Sequence, residues 1–179
     1  MTNGTLIEFG GLPGTGKSTL AGHLAQRSGA VWLRIDEIEG AMRRNGLTAA
    51  QTGVTAYSVA HDVAASHLRR GLTVIADAVN PVAAARLGWR DLAHSVQARH
   101  LIIETSCPEP ARLARIAQRE PATVMPQPVA AVVPEAAAAL VPLRAEAYEP
   151  RTDARLLIDT TRPLEECQTE VIRHAGLAA

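Results

Sequence analysis

Aromatic side chains are scarce in this chain of 179 residues, where Phe, Trp and Tyr together make up 3%. That leaves few platforms on which single-stranded bases could stack. An excess of either charge is also missing, since 18 Lys+Arg balance 18 Asp+Glu. A neutral chain carries no general electrostatic footprint for nucleic acid, so nucleic acid is not expected as a partner. Cysteine is limited to Cys107 and Cys167, far apart and without metal-ligand spacing, which reads as a reduced thiol pair. The six histidines are scattered in the same way. No apolar run approaches membrane-spanning length, because charges or prolines interrupt every candidate. The N-terminus shows no basic-then-apolar leader pattern. The expectation is one cytoplasmic domain over residues 1–179, with no membrane partner and an open oligomeric state.

Against that background one stretch stands out: Gly11-Leu12-Pro13-Gly14-Thr15-Gly16-Lys17-Ser18-Thr19. It reads G-x-x-x-x-G-K-S and directly follows an apolar run at 5–9. Glycines let the backbone curl until successive N–H groups face one concavity and hold phosphate oxygens. Lys17 can reach the β- and γ-phosphates, and the Ser18 hydroxyl can bind Mg²⁺. The segment 18–26 suits a helix, whose N-terminal dipole would face the same phosphates. A plain strand-to-helix turn would explain neither the Lys-Ser pair nor the strand-loop-helix order. A nucleoside triphosphate with Mg²⁺ is the expected ligand, and residues 11 and 13–19 are its expected contacts.

Short apolar runs alternate with helical patterns along the rest, which predicts βαβ units and a parallel sheet. Strands are expected at 30–35, 72–77, 99–104 and 154–159. Helices are expected at 37–44, 55–70, from Pro81 to about residue 94, at 109–119, and from Pro163 at a first-turn position. Asn45-Gly46 and Gly71 are natural stops. Residues 120–150 differ, because Pro121, Pro126, Pro128, Pro134 and Pro142 cut them into short pieces. A long irregular excursion inside a compact domain is usually functional. A lid over the nucleotide is the expectation there.

Several residues outside the glycine-rich loop carry candidate chemistry. Asp77 closes an apolar strand and is expected to hold Mg²⁺ together with Ser18. Asp36 follows the predicted second strand, at the sheet end where open α/β folds place ligands. A carboxylate there can accept the proton of an attacking hydroxyl, or can cap the next helix. Asn80 and Arg86 are candidates for the substrate side, with turn-shaping and plain solvation as their alternatives. Arg112, Arg115 and Arg119 share one helix face, usually a solvated stripe. Here the stripe runs toward the expected lid, so Arg115 and above all Arg119 are candidates to clamp phosphate.

Taken together these residues resemble the small P-loop kinases of the kinase-type ATPase group, such as gluconate kinase, shikimate kinase and chloramphenicol phosphotransferase. The likeness is nearest to stand-alone bacterial AAA family ATPases of zeta-toxin-like and chloramphenicol-phosphotransferase-like type. It is carried by residues 11–19, 33–39, 74–81 and 115–119, and by Tyr148-Glu149-Pro150 ahead of Leu157-Ile158-Asp159. The resemblance implies a three-layer α/β/α sandwich around a five-stranded parallel sheet, with a lid and an ATP–Mg²⁺ site. It also implies that Asp36 is the base and that Arg115 or Arg119 contacts phosphate. The chain departs from its relatives in having no arginine between Arg119 and Arg144. The expected activity is transfer of the ATP γ-phosphate to a hydroxyl of a small molecule. The alternatives are a 5′-hydroxyl kinase of nucleic acid and a nucleotide-binding switch acting through a protein partner.

Overall fold

The structure, a computed structural model, describes residues 4–118 and 148–176. Strand β1 (Thr5–Gly10) feeds the glycine-rich loop and α1 (Lys17–Ser28), and β2 (Val31–Arg34) runs straight into α2 (Ile35–Arg44). Helix α3 (Ala49–Leu68), β3 (Thr73–Asp77), α4 (Ala83–Ser95), β4 (Arg99–Ser106) and α5 (Glu109–Ala117) follow. Beyond the undescribed stretch come β5 (Leu156–Asp159) and α6 (Leu164–Ala175). The strands lie in the order β2-β3-β1-β4-β5, and every pairing is parallel. This is the expected three-layer α/β/α sandwich with a five-stranded sheet.

Helices cover both faces, so the strands are apolar on both sides. Side chains alternate along β1 with period two. Ile7 and Phe9 join Leu20, Leu24, Val171 and Ile172 in the core beneath α1 and α6. Leu6 joins Ala56, Ala60, Leu68, Val74 and Trp89 in the core beneath α3 and α4. The same alternation turns Glu8, wholly buried, toward the second face. Small residues at four-residue spacing (Ala56, Ala60, Ala64) let α3 settle close to the sheet.

Element boundaries differ from expectation at instructive places. Helix α3 starts at Ala49 rather than at 55, because Thr48 and Gln51 cap it. The Gln51 side-chain oxygen accepts from the Thr48 amide at 2.9 Å and from the Thr48 hydroxyl at 2.8 Å. Strand β2 ends one residue early, at Arg34, so Ile35 and Asp36 already belong to α2. Pro163 caps α6 rather than occupying its first turn. Among the described residues no helix is long and apolar enough to cross a membrane.

Candidate active site

The loops after β1, β2, β3 and β5 all open at the carboxyl ends of the strands, which gathers the candidate residues there. The glycine-rich loop owes its shape to three left-handed glycines, with φ of 129° at Gly11, 84° at Gly14 and 86° at Gly16. Only glycine adopts such angles without cost. Space forbids a side chain too: a Cβ on Gly11 would lie 2.4 Å from the Thr105 carbonyl oxygen, and one on Gly14 2.6 Å from that of Arg112. Thr15 staples the loop through its hydroxyl, which donates to the Leu12 carbonyl at 2.7 Å and pairs with the Thr105 hydroxyl at 2.7 Å. Lys17 opens α1 and is buried.

Asp77, at the tip of β3, meets that helix start. Its carboxylate hydrogen-bonds Ser18 and feels the charges of Lys17 and Arg34. Burial pushes the Asp77 carboxyl up from the ordinary carboxylate value, while Lys17, Ser18 and Arg34 pull it back. Its Oδ2 is buried without a hydrogen-bond partner among the described residues. An orphaned carboxylate oxygen beside a serine hydroxyl suits a hard cation such as Mg²⁺. The described residues hold no cluster of three or more His, Cys, Asp or Glu able to ligate a metal. Two protein oxygens, from Ser18 and Asp77, would suit an ion that keeps waters and phosphates as its remaining ligands.

Asp36 sits in the first turn of α2, within electrostatic reach of Asp77 and Glu39. Capping does not explain it, because the N-cap position belongs to Arg34. One helical turn on, Glu39 lies 3.4 Å from Arg43 and its carboxyl is raised, chiefly by burial. The Tyr57 hydroxyl accepts from the Asn80 amide at 3.3 Å, and burial raises its pKa well above the usual phenol value. Asp36, Glu39 and Tyr57 thus share the side of the site next to β2.

On the opposite side, toward β5, a cavity of about 470 Å³ is lined by Gly14, Gly16, Thr19, Arg115, Thr160 and Arg162, among others. Arg115 is built into its wall, donating to the Thr160 hydroxyl and carbonyl at 2.8 Å each and reaching the Gly14 carbonyl at 3.5 Å. Thr160 in turn donates to the Thr15 carbonyl at 2.9 Å. Arg112, on the same helix face, is buried with its Cγ against Gly14, so it is not part of a solvated stripe. Arg119 lies outside the described residues, as does the expected lid apart from its last three residues.

The two candidates for the substrate side, Asn80 and Arg86, both make structural contacts. Asn80 is wholly buried and spends its amide on structure. Its Nδ2 donates to Glu8 Oε1 at 3.1 Å and to the Phe9 carbonyl at 3.3 Å, and its Oδ1 accepts from Trp89 at 3.1 Å. Arg86 is likewise a clamp. It donates to the carbonyls of Asn80, Pro81, Glu149 and Pro150 at 2.6–3.1 Å and lies over the Tyr148 ring. Tyr148, Glu149 and Pro150 are thereby bound against the sheet.

Sequence reasoning missed the network that these residues complete. Glu8 pairs with Arg151 at 2.9 Å and with His100 at 3.1 Å, while Glu104 accepts from Tyr148 at 2.6 Å and pairs with Arg155. The only local signal was a lone acid in each of two apolar strands. A buried charge demands a partner without naming it.

The family of the AAA domain matches residues 6–143. No curated protein matches the chain. Among solved structures, the APS kinase of Mycobacterium tuberculosis in complex with AMPPNP and APS is similar at 18% identity and a TM-score of 0.70, covering 98% of this chain and 99% of that one. A gluconokinase from Sinorhizobium meliloti 1021 is similar at 17% identity and a TM-score of 0.67, covering 98% and 94%. A sugar kinase from Janibacter sp. HTCC2649 is similar at 15% identity and a TM-score of 0.67, covering 98% and 96%. Likeness at these identities concerns the fold. The matched segment takes in β1, the glycine-rich loop, Asp36 and Asp77, and the chain belongs to the AAA domain family on the fold of the P-loop kinases.

Proposed function

We propose that this protein is an ATP-dependent phosphotransferase that moves the γ-phosphoryl group to a hydroxyl of a small molecule. The observation that carries the reading is the meeting of Lys17, Ser18 and Asp77 at one end of the sheet, with Asp36 on their far side. The named activities of the APS kinase, the gluconokinase and the sugar kinase support a small acceptor.

In this reading the backbone amides of the glycine-rich loop bind the phosphates, and Lys17 neutralises charge that grows on the transferring group. Ser18 and Asp77 would hold Mg²⁺, which when bound would neutralise phosphate charge. The base and ribose enter the cavity beside Thr160. Asp36 takes the proton of the acceptor hydroxyl as that oxygen attacks the γ-phosphorus and the bond to the β-phosphate oxygen breaks. Glu39 and Tyr57 face the acceptor. Arg115 holds the loop and cavity wall in place, and Arg119 is the arginine proposed to contact phosphate. Transfer of this kind depends mainly on positioning and electrostatics.

The test is ATP consumption with Mg²⁺ across a panel of hydroxyl-bearing small molecules and one 5′-hydroxyl oligonucleotide. Turnover that depends on a small acceptor and vanishes in Lys17→Ala and Asp36→Ala supports the reading. Tight ATP binding with no acceptor-stimulated turnover overturns it in favour of a switch, and turnover on the oligonucleotide alone overturns the acceptor class.

A further inference from the structure

One cation of the site has no role in that mechanism. Arg34 ends β2 in register with Asp77, which ends the neighbouring β3. Its Nε lies 3.5 Å from Asp77 Oδ2, and the Asp77 side chain is 2% exposed. Both atoms are buried, and neither makes a hydrogen bond among the described residues. The charges therefore attract without the N–H being aimed at the oxygen. An arginine whose task was to neutralise this aspartate would present its planar fork to both oxygens. Instead Arg34 gives Nη1 to Glu37, and its Cζ stacks 5.1 Å from the Trp32 ring. Two buried polar atoms that face each other without a hydrogen bond call for an explanation, and a bound ligand that completes them is one.

The sheet order says which part of the ligand that would be. Strands β2 and β5 are opposite edges, with β3, β1 and β4 between them. The large cavity adjoins the loop after β5, and the glycine-rich loop follows the central β1. A nucleotide with its base in the cavity extends its phosphate chain toward β3 and β2. Arg34, two residues before Asp36, stands at the far end of that line.

We propose that Arg34 is a further catalytic residue, whose Nε–H donates to a γ-phosphoryl oxygen of the bound triphosphate. The inference rests on the site being one for a nucleoside triphosphate, and not on any acceptor. The guanidinium forms no covalent bond; it adds positive charge and one directed donor where the transferring group carries negative charge. It also leaves Asp77 Oδ2 to the metal ion.

Trp32 supplies a readout that does not depend on activity, because movement of a stacked guanidinium alters indole emission. The chain has one other tryptophan, Trp89, wholly buried on α4. The experiment titrates the intact protein, in Mg²⁺ and without acceptor, with ADP and with a β,γ-imido ATP analogue. Affinities come from calorimetry and emission is followed in parallel. Emission is expected to change with the analogue and not with ADP, and the change should vanish in Trp32→Phe while binding remains. Arg34→Gln is expected to weaken analogue binding about tenfold or more, the loss of one charged hydrogen bond, with ADP affinity kept within about twofold. Arg34→Lys should recover part of the loss, since it restores the charge and not the fork. Retained ADP binding shows that each variant is folded. An unchanged ratio of analogue to ADP affinity in Arg34→Gln overturns the inference, and so does an emission change as large with ADP as with the analogue. Because no acceptor is present, failure of the transfer reaction and failure of this inference are separate results.

Discussion

The carboxylate of Glu8 and the guanidinium of Arg151 meet at 2.9 Å with neither side chain exposed, although 143 residues separate them in sequence. Glu8 hangs from the central strand, and Arg151 follows the segment that Arg86 clamps, so the pair joins the C-terminal part of the fold to its middle. Breaking a buried pair strands a charge and costs about 3–5 kcal/mol. Arg151→Ala is expected to lose that much in urea unfolding. The double variant Glu8→Gln/Arg151→Met should lose clearly less than the sum of its single changes. Additive losses would show that the two charges do not depend on each other.

Arg86 gives a prediction that separates structure from substrate binding. Four backbone carbonyls take its donors. Arg86→Met leaves them unsatisfied, at about 1–3 kcal/mol for each group that water cannot reach. We expect a loss of about 3 kcal/mol in chemical denaturation, given partial access of water. The KM for an acceptor should stay unchanged at temperatures where the variant is folded. A KM raised more than about tenfold, the scale of one lost charged contact, at undiminished stability would return Arg86 to the substrate side.

How far the sequence revealed these roles depended on how local each one is. The glycine-rich loop was legible because its backbone angles are written in its own glycines, and its proposed chemistry rests on the adjacent Lys17 and Ser18. Asp77 was legible as the polar end of an apolar run. Asn80 and Arg86 looked equally suited to a substrate because their partners Glu8, Glu149 and Pro150 lie 63–72 residues away. The start of α3 was misjudged because Ala49 to Thr52 are small or polar, yet Thr48 and Gln51 held the capping signal. Arg34 read as an ordinary strand residue. Its meaning comes from the β2–β3 register, which no pattern within β2 specifies.

Gly14 and Gly29 offer a controlled comparison, since both are left-handed, with φ of 84° and 66°. A Cβ on Gly29 would meet nothing within 4 Å, whereas one on Gly14 would press to 2.6 Å on the Arg112 carbonyl. Gly29→Ala should therefore cost only the backbone term, about 1–2 kcal/mol, and leave nucleotide affinity alone. Gly14→Ala adds a displacement of the loop, and we expect nucleotide affinity to fall at least about tenfold, the loss of one or two well-aimed amide contacts. Equal nucleotide affinities in the two variants, measured by calorimetry, would deny that the wedge of Gly14 against α5 shapes the site.

In the proposed mechanism Lys17 and Asp36 divide binding from chemistry. Removing Lys17 takes away a buried cation proposed to face the phosphates, so Lys17→Ala should abolish turnover and weaken ATP binding. Asp36→Asn keeps the size of the side chain and removes the base. It is expected to lower kcat by roughly 10²–10⁴, the usual contribution of a positioned base, with ATP affinity unchanged. Full turnover in Asp36→Asn would remove Asp36 from the mechanism.

His61 predicts the acid side of the stability profile. Its ring stands edge-on to Trp89 with centroids 4.3 Å apart, and its Nε2 is buried without a partner among the described residues. Burial lowers its pKa below the ordinary 6.5, against a weaker upward pull from Asp62. The folded state thus resists a proton that the unfolded chain accepts. The stability this gives is complete above 6.5 and is lost as pH falls through the depressed folded value. His61→Leu removes the titration while keeping an apolar contact with Trp89. The stability of the parent relative to His61→Leu, from urea midpoints between about pH 7.5 and 5, should decline toward the acid end, because only the parent must bury an imidazole that water would protonate. Parallel curves for the two proteins would mean that the imidazole takes up its proton equally well in both states.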